Sequence, residues 1–164
     1  MQLPIAIQQP RPFDIVGHSV HFVGLALAHT SAVRVQLLAA DGSLLAARVV
    51  RGENAGELST FDGVFELEGS PGDPTGCVAM ANARTDGDRI EVPIVFGTAL
   101  QRRYIGYATY VVRPGDTLWL VAERMYGAGD RWSMLHQANR HLIADPDVIH
   151  PGQELRIPRA VVPG

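Results

Sequence analysis

In the first part of the chain, hydrophobic residues recur at every second position. Val33, Val35 and Leu37 alternate with polar residues, which is the spacing of a half-buried β-strand. An Asp-Gly pair at 41–42 favours a turn, and residues 44–50 supply a return strand. The same spacing recurs further along, at Phe65, Leu67, Ile90, Val92, Ile94 and Phe96. Short strands separated by turns favour a β-sandwich, so residues 1–97 are predicted to be all-β.

After residue 108 the spacing changes from that of strands to that of helices. A short apolar run at 110–112 is ended by a Pro-Gly turn, and one face of a helix follows at Leu118, Val121, Ala122 and Met125. A second helix is predicted to begin at Asp130, a natural helix cap. Its inward positions are Trp132, Leu135, Asn139 and Leu142. Residues 154–157 then form a second strand, which is predicted to pair antiparallel with the first.

Several side chains in this region have predicted structural roles. Asp116 or Thr117 can cap the first helix by accepting from its free N–H groups, and Gly127 suits the left-handed position that ends a helix. Asn139 lies at an inward position, where a buried amide must find partners, so we expect it to bind nearby loop backbone. Trp119 lies off the apolar face and is expected to be partly exposed, where it could contact a neighbouring domain or a partner.

The order strand, helix, helix, strand between Tyr110 and Pro158 resembles the LysM domain, a small module that binds N-acetylglucosamine-containing polymers. The resemblance is carried by PGDTL at the first turn and by HPGQELRIP at the second strand. It implies a sugar groove between the loop after the first strand and the loop before the second. By motif position, the implied ligand-binding residues are Gly115, Asp116, Thr117 and Leu118 on one wall and Asp147, Val148, Ile149 and Pro151 on the other.

These residue types suit an N-acetyl sugar. Its amide needs N–H and C=O partners, which glycine turns expose, and its methyl group needs an apolar floor, which Leu, Val or Ile supplies. Affinity at one shallow site of this kind is expected to be weak, because avidity requires repeated sites.

The first half resembles the immunoglobulin-like domain of bacterial spore-germination and related envelope proteins. The matching pieces are a Pro-rich lead with Val16-Gly17, the strand SVHFVGLA with Gly24, the turn at 41–42 and the closing TDGDRIEVPIVF. The resemblance implies an accessory or spacing module without catalysis. Two segments rich in Gly, Pro, Ser and acidic residues, 56–62 and 69–76, are predicted to be loops.

The predicted fold class is therefore an α+β protein of two domains. Residues 1–97 form an immunoglobulin-like β-sandwich and residues 98–108 a linker. Residues 109–158 form a βααβ LysM-like domain, and residues 159–164 a tail.

Composition narrows the range of functions. The chain is 46% hydrophobic and 19% charged with a formal net charge of −3, which is typical of a globular protein and disfavours nucleic-acid binding through a basic surface. No run approaches the length of a membrane span. The N-terminus MQLPIAIQQPRPF lacks the features of a signal peptide. The expected location is the cytoplasm or a particle if Met1 is the native start, and the cell envelope if a signal peptide was removed.

Catalytic, metal and cofactor chemistry find little support in the sequence. Cys77 is the single cysteine and its apolar context predicts a buried small hydrophobe. The closest histidine pairs, at 18 and 21 and at 136 and 141, lack the spacing and the acidic partners of a metal site. Glu123 has no second carboxylate for glycoside hydrolysis and is predicted to lie on a solvated face. We predict no enzyme activity and no cofactor.

Two functions remain open at this level. The first is non-enzymatic binding of peptidoglycan or another N-acetylglucosamine-containing glycan. The second follows from the YGAGDRW and DPDVIHPGQ segments, which resemble LysM domains of bacterial cytoplasmic proteins and of phage-tail-like injection particles. In such a particle the LysM-like domain would contact tail-tube or baseplate proteins instead of sugar.

Overall fold

A computed structural model describes residues 5–27, 32–51, 58–85 and 89–161. The chain divides into two compact units, Met1–Phe96 and Gly97–Gly164. The predicted features at residues 56–57 and 86–88, which include part of the TDGDRIEVPIVF segment, lie outside the described residues.

The regular elements described in the first unit are all β-strands. Their bounds are β1 Ala6–Gln9, β2 Asp14–Val16, β3 Ser19–Leu27, β4 Val33–Ala39, β5 Leu44–Val50, β6 Leu58–Glu66, β7 Thr75–Asn82 and β8 Ile90–Phe96. One sheet has the order β1-β3-β6 and the other the order β2-β8-β7-β4-β5. The pairs are antiparallel except β2 with β8, which is parallel. The strand content agrees with the all-β prediction, while the immunoglobulin-like family stays a prediction.

The two sheets of this unit face each other across a shared hydrophobic core. Phe22 and Phe61 are fully buried on the smaller sheet, as are Leu37 and Met80 on the larger one. A methyl group added at Gly24 would lie 2.8 Å from the Ala6 carbonyl oxygen and still closer to the Met80 side chain. The absence of a side chain at this position therefore allows the sheets to approach closely.

One loop prediction in this unit is wrong. Residues 58–62 were expected to be loop, but they open β6, which pairs with β3 along nine residues from Leu27↔Leu58 to Ser19↔Glu66. Ser59 and Phe61 are buried at alternate positions of this segment. Pairing and burial outweigh the local preference of Ser and Asp for turns.

The second unit combines a two-stranded sheet with short helices. Its elements are α1 Gly97–Leu100, β9 Tyr104–Val111, α2 Leu118–Tyr126, a 3₁₀ turn Gly129–Arg131, α3 Trp132–Ala138 and β10 Glu154–Ala160. Strands β9 and β10 pair antiparallel, from Val111↔Glu154 to Tyr104↔Ala160. The predicted strand, helix, helix, strand order is present between residues 110 and 158.

The segment predicted as a linker has regular structure instead. Residues 98–108 contain most of α1 and the first five residues of β9, and β10 continues two residues into the predicted tail. Tyr104 is only 8% exposed, and its ring lies against Gly97, where an added Cβ would come within 2.6 Å of two ring atoms. This buried tyrosine and the pairing with β10 give the segment its order.

The core of the second unit confirms some inward positions and corrects others. Its buried cluster comprises Tyr110, Val112, Leu118, Val121, Ala122, Leu135, Ile143, Leu155 and Ile157. Met125, Trp132 and Leu142, expected to face inward, are 37%, 38% and 48% exposed. Leu142 lies beyond the last residue of α3, so helical spacing does not apply to it, and the adjacent Ile143 is buried instead.

Asn139 is fully buried and joins α3 to β10. Its Nδ2 donates to the carbonyl oxygens of Leu135 and Arg156, both at 2.8 Å. Its Oδ1 accepts from the backbone N–H of Arg156 at 2.7 Å. The expected structural role is confirmed, but the partner across the fold is strand backbone and not a loop.

We expect Asn139→Ala to destabilise the second unit by about 2–6 kcal/mol, because two backbone groups of Arg156 lose a buried partner and each such loss costs about 1–3 kcal/mol. Both tryptophans of the chain belong to this unit, so urea unfolding followed by tryptophan fluorescence measures the effect directly.

Asn82→Ala is the matched control. The Asn82 amide is only half-buried and accepts from the backbone N–H of Arg84 in the first unit. The fluorescence transition should not shift in this variant. An equal shift in both variants would contradict the role assigned to Asn139.

Candidate functional site

Backbone pairing places the two loops of the implied groove side by side. The first loop comprises residues 113–117 and the second residues 144–153. The N–H of Val112 donates to the Gln153 carbonyl, and the N–H of Gly152 donates to the Val112 carbonyl, both at 2.9 Å. These bonds extend the β9–β10 ladder by one step. The first loop therefore begins where the second one ends.

The first loop is a tight turn that leads directly into α2. Gly115 has a φ of +85°, a conformation that favours glycine, and a Cβ added there would meet no atom within 4 Å. Thr117 is the helix cap, since its hydroxyl accepts from the Leu120 N–H at 3.2 Å. Gly115 and Thr117 are exposed, whereas Leu118 is 2% exposed and belongs to the core.

Asp116 holds this loop together from inside. Its Oδ2 accepts from the Tyr110 hydroxyl at 2.6 Å and from the Arg113 N–H at 2.9 Å. Its Oδ1 forms an ion pair with Arg124 at 3.2 Å, and Arg124 also contacts the Tyr110 hydroxyl and lies over the Tyr110 ring. The Asp116 side chain is only 5% exposed. Both carboxylate oxygens are thus engaged within the protein.

The hydrogen bonds of this network shift the pKa of two groups in opposite directions. The Tyr110 hydroxyl, followed by the Arg113 N–H and Arg124, lowers the pKa of Asp116 against the opposing effect of burial. The same hydrogen bond to Asp116 raises the pKa of Tyr110, because ionised tyrosine could not donate it. The network is therefore complete when Asp116 is charged and Tyr110 is neutral.

The second loop is shaped by its own backbone and side-chain hydrogen bonds. Asp145 accepts from the Asp147 N–H at 3.0 Å through its side chain and from the Val148 N–H at 3.0 Å through its carbonyl. The Gln153 side chain accepts from the His150 N–H at 2.8 Å. These bonds fix the shape of the loop, and they engage the backbone N–H groups of Asp147, Val148 and His150.

The eight implied ligand-binding residues differ in what they present to solvent. Five are exposed, namely Gly115, Thr117, Asp147, Val148 and Pro151. Val148 offers an apolar side chain that is 48% exposed. Ile149 is half-buried and packs against the core, while Asp116 and Leu118 face inward. The groups presented to solvent are therefore the bare backbone of Gly115, the polar side chains of Thr117 and Asp147, and the apolar side chains of Val148 and Pro151.

Sequence reasoning missed the contact made by Trp119. This residue is 51% exposed, as expected, but its indole also lies against Gly129 at the start of the 3₁₀ turn. Glu123, expected only to be solvated, is exposed and also accepts from the Gly129 N–H at 2.7 Å. The YGAGDRW spacing carried no recognisable signal for these contacts, because Gly129 lies ten residues after Trp119 on a different element.

Other chemistry finds little support within the described ranges. No three His, Cys, Asp or Glu side chains come together there as metal ligands. Cys77, expected to be buried, is half-buried in β7, and desolvation raises the pKa of its thiol. None of the described helices is long and apolar enough to cross a membrane.

Comparison with protein families identifies residues 110–158 as a LysM domain. The matched range covers β9 from Tyr110 onward, both main helices and β10 up to Pro158. This confirms the resemblance stated for that half of the chain. The resemblance of the first half to an immunoglobulin-like family stays a prediction.

The similar proteins match only part of their length. The chain is 41% identical over 49 residues to the potassium binding protein Kbp of Escherichia coli O6:H1, which is 30% of this chain and 33% of Kbp. It is 42% identical over 52 residues to the resuscitation-promoting factor Rpf of Micrococcus luteus, 32% of this chain and 23% of Rpf. An uncharacterized protein of Deinococcus radiodurans is 45% identical over 53 residues, 32% of this chain and 20% of that protein. The chain thus spans a third or less of each relative.

Among solved structures, trypsin-activated alpha-2-macroglobulin from Escherichia coli aligns with 70% of this chain and 8% of its own, at a TM-score of 0.46 and 12% identity. A similarity of this extent assigns no fold to the first unit.

Asp116→Asn should lower the free energy of unfolding of the second unit at pH 7 by about 1–3 kcal/mol, the range for a hydrogen-bonded charged group. The folded-state pKa of Asp116 is lowered, so its stabilisation is complete above the unfolded value of about 3.9 and is lost as pH falls through the folded value. The difference between the variant and the wild type should therefore shrink in acid. Urea unfolding at pH 7 and near pH 3 measures it.

Asp147→Asn is the control, because this carboxylate is exposed on the second loop. It should cost little at either pH. A loss for Asp116→Asn that does not depend on pH would show that the carboxylate charge plays no part.

Proposed function

We propose that this protein binds peptidoglycan or another N-acetylglucosamine-containing glycan through its LysM domain, without catalysis. The single observation that carries the proposal is the pairing of Val112 with Gly152 and Gln153, which holds the two loops side by side within a LysM frame. LysM domains are binding modules for such polymers, and the exposed groups of both loops have the matching chemistry.

The exposed groups divide between hydrogen bonding and apolar contact. Gly115 has no side chain to cover the backbone of the first loop, so its peptide groups are open to a sugar amide. Val148 and the half-buried Ile149 offer an apolar floor for the methyl of an N-acetyl group. A neutral glycan needs no charged partner, and Asp147 is the one charged side chain among the five exposed residues.

Asp116 has a positioning role in this proposal. Its oxygens already accept from Tyr110, Arg113 and Arg124, so a sugar hydroxyl would have to compete with them. Replacing Asp116 would change the shape of the first loop before it removed any direct contact. Variants of Val148 and Gly115 are therefore sharper tests of the groove.

The first unit acts in this proposal as an accessory or spacing module. The tail-particle alternative, with tube or baseplate proteins as partners, gains no support from the described residues or from the relatives above. It predicts that the protein copurifies with a particle and stays in the supernatant when mixed with purified peptidoglycan.

Sedimentation with purified peptidoglycan tests the proposal. The wild-type protein should appear in the pellet, and Val148→Asp should reduce the pelleted fraction several-fold, because a carboxylate would replace the apolar floor. Val148 is 48% exposed, so the change should leave the fold intact.

Val49→Asp is the matched control, since Val49 is a 58% exposed valine of β5 in the other unit. It should pellet like the wild type. A wild-type protein that remains in the supernatant would overturn the proposed function.

Gly115→Ala tests the backbone of the first loop. The φ of +85° should cost about 1–2 kcal/mol with any residue that carries a Cβ, although there is space for the atom itself. Relaxation of this strain would move the exposed peptide groups. We expect weaker pelleting with a folded protein, as judged by circular dichroism.

Gly42→Ala supplies the comparison, because Gly42 has a φ of +80° and equally open surroundings in the first unit. Its stability cost should be similar and its pelleting unchanged. Equal binding by both alanine variants would exclude the first loop from the groove.

A further inference from the structure

The indole of Trp119 lies flat on the backbone of Gly129. A Cβ built on Gly129 would be 2.5 Å from both Cδ2 and Cζ2 and closer still to Cε2, the atom between them. Because Cδ2 and Cζ2 are equally distant, the built Cβ lies above the plane of the indole and not beyond its edge. One face of the indole is therefore covered by Gly129, while 51% of the residue is exposed.

The support under the ring is held firmly. The Gly129 N–H donates to the Glu123 carboxylate at 2.7 Å, and Glu123 lies one turn after Trp119 on the same helix. The Gly129 carbonyl accepts from the Trp132 N–H, which closes the 3₁₀ turn. Because both backbone groups of Gly129 are bonded, the ring rests on a fixed surface. This is a pre-organised aromatic platform, which loses little freedom on binding.

The platform adjoins the first loop of the groove. Trp119 follows the exposed Thr117 by two residues, and two residues span at most about 7 Å, a distance comparable with the size of one sugar ring. The Trp119 side chain therefore begins within about the length of one sugar ring from the first loop.

The exposed area of the indole matches the size of a sugar ring. Half of a tryptophan side chain presents about 100 Å². The C–H groups on one face of a pyranose carry partial positive charge, and the face of an aromatic ring carries partial negative charge, so the two attract when stacked. The rim is polar, with the exposed Asp130 next to Gly129 to meet hydroxyl groups.

We propose that the exposed face of Trp119 is a second saccharide subsite, which stacks on the pyranose ring next to the one bound between the two loops. This inference rests on the proposed function and extends it from one sugar residue to a chain. It makes affinity depend on chain length, because only an oligosaccharide long enough to leave the groove can contact the indole.

A length series of N-acetylglucosamine oligosaccharides, from the dimer to the hexamer, tests this by calorimetry on the full chain. Wild-type affinity should rise with length, and Trp119→Ala should remove that rise, a loss of about tenfold for the hexamer if stacking contributes as it does for nucleic-acid bases. Binding of the dimer should hardly change. Trp119→Tyr, which keeps a flat ring, should retain most of the gain.

Leu120→Ala is the matched control, since Leu120 is the next residue and is 42% exposed. It should follow the wild type at every length. The chain has two tryptophans, so in a Trp132→Phe background all tryptophan emission comes from Trp119 and reports the subsite directly. The hexamer should shift this emission, and the dimer should not.

Gly129→Ala tests the support while Trp119 itself is kept. The added methyl would occupy the space of the indole, and Gly129 does not lie in the left-handed region, so the clash is the main effect. Gly129→Ala should weaken hexamer binding in the wild type and have no further effect on binding in Trp119→Ala. This non-additivity separates a positioning role from a general loss of stability.

The outcomes separate the two proposals. If the wild type binds the oligosaccharides and Trp119→Ala matches it at every length, the subsite is wrong and the groove stands. If the wild type binds neither the oligosaccharides nor peptidoglycan, both are wrong. If Trp119→Ala instead dissociates a dimer seen in sedimentation velocity, a second copy covers the indole and the saccharide subsite is overturned.

Discussion

The pairing of β9 with β10 is the constraint on which the second unit depends. The two strands lie at opposite ends of the unit in sequence, and a two-stranded sheet has little stability without a packed face. Leu155 and Ile157 supply that face from β10, while Asn139 binds both backbone groups of Arg156 between them. The strand is thus joined to β9 on one side and to α3 through one amide. Because the same ladder sets where both loops begin, the groove inherits its geometry from this pairing.

Motif residues and ligand-facing groups are largely different sets in this domain. The Asp of the PGDTL motif bonds inward, its Thr caps α2 and its Leu packs in the core. The outward-facing groups include the backbone at Gly115, Val148 and the indole of Trp119, and of these only Gly115 belongs to the motif. Substitutions at a few exposed positions could therefore change the affinity of such a site and its preference for chain length without changing its shape.

The sequence predicted those parts of the fold that depend on local preferences. Thr117 caps α2, Gly127 ends it in a left-handed conformation at a φ of +68°, and Asn139 is a buried structural amide. Predictions failed where long-range contacts decide the structure. Trp132 was placed inside by helical spacing, but α3 is one short helix whose core side is filled by Leu135 and Ala138. The contact between Trp119 and Gly129 depends on how α2 packs against the 3₁₀ turn, and the local spacing of residues does not predict such packing.

The ring of Tyr104 against Gly97 has a consequence for where this LysM unit can be cut or exchanged. The family frame begins at Tyr110, but the ladder of β10 continues from Arg156↔Thr109 to Ala160↔Tyr104. A fragment starting at Tyr110 would leave these positions of β10 as an open strand edge, which invites pairing with other chains. A fragment intended to fold by itself should therefore begin at Gly97. Its N-terminal boundary is set by the hydrogen bonds between β9 and β10, and not by the start of the LysM motif.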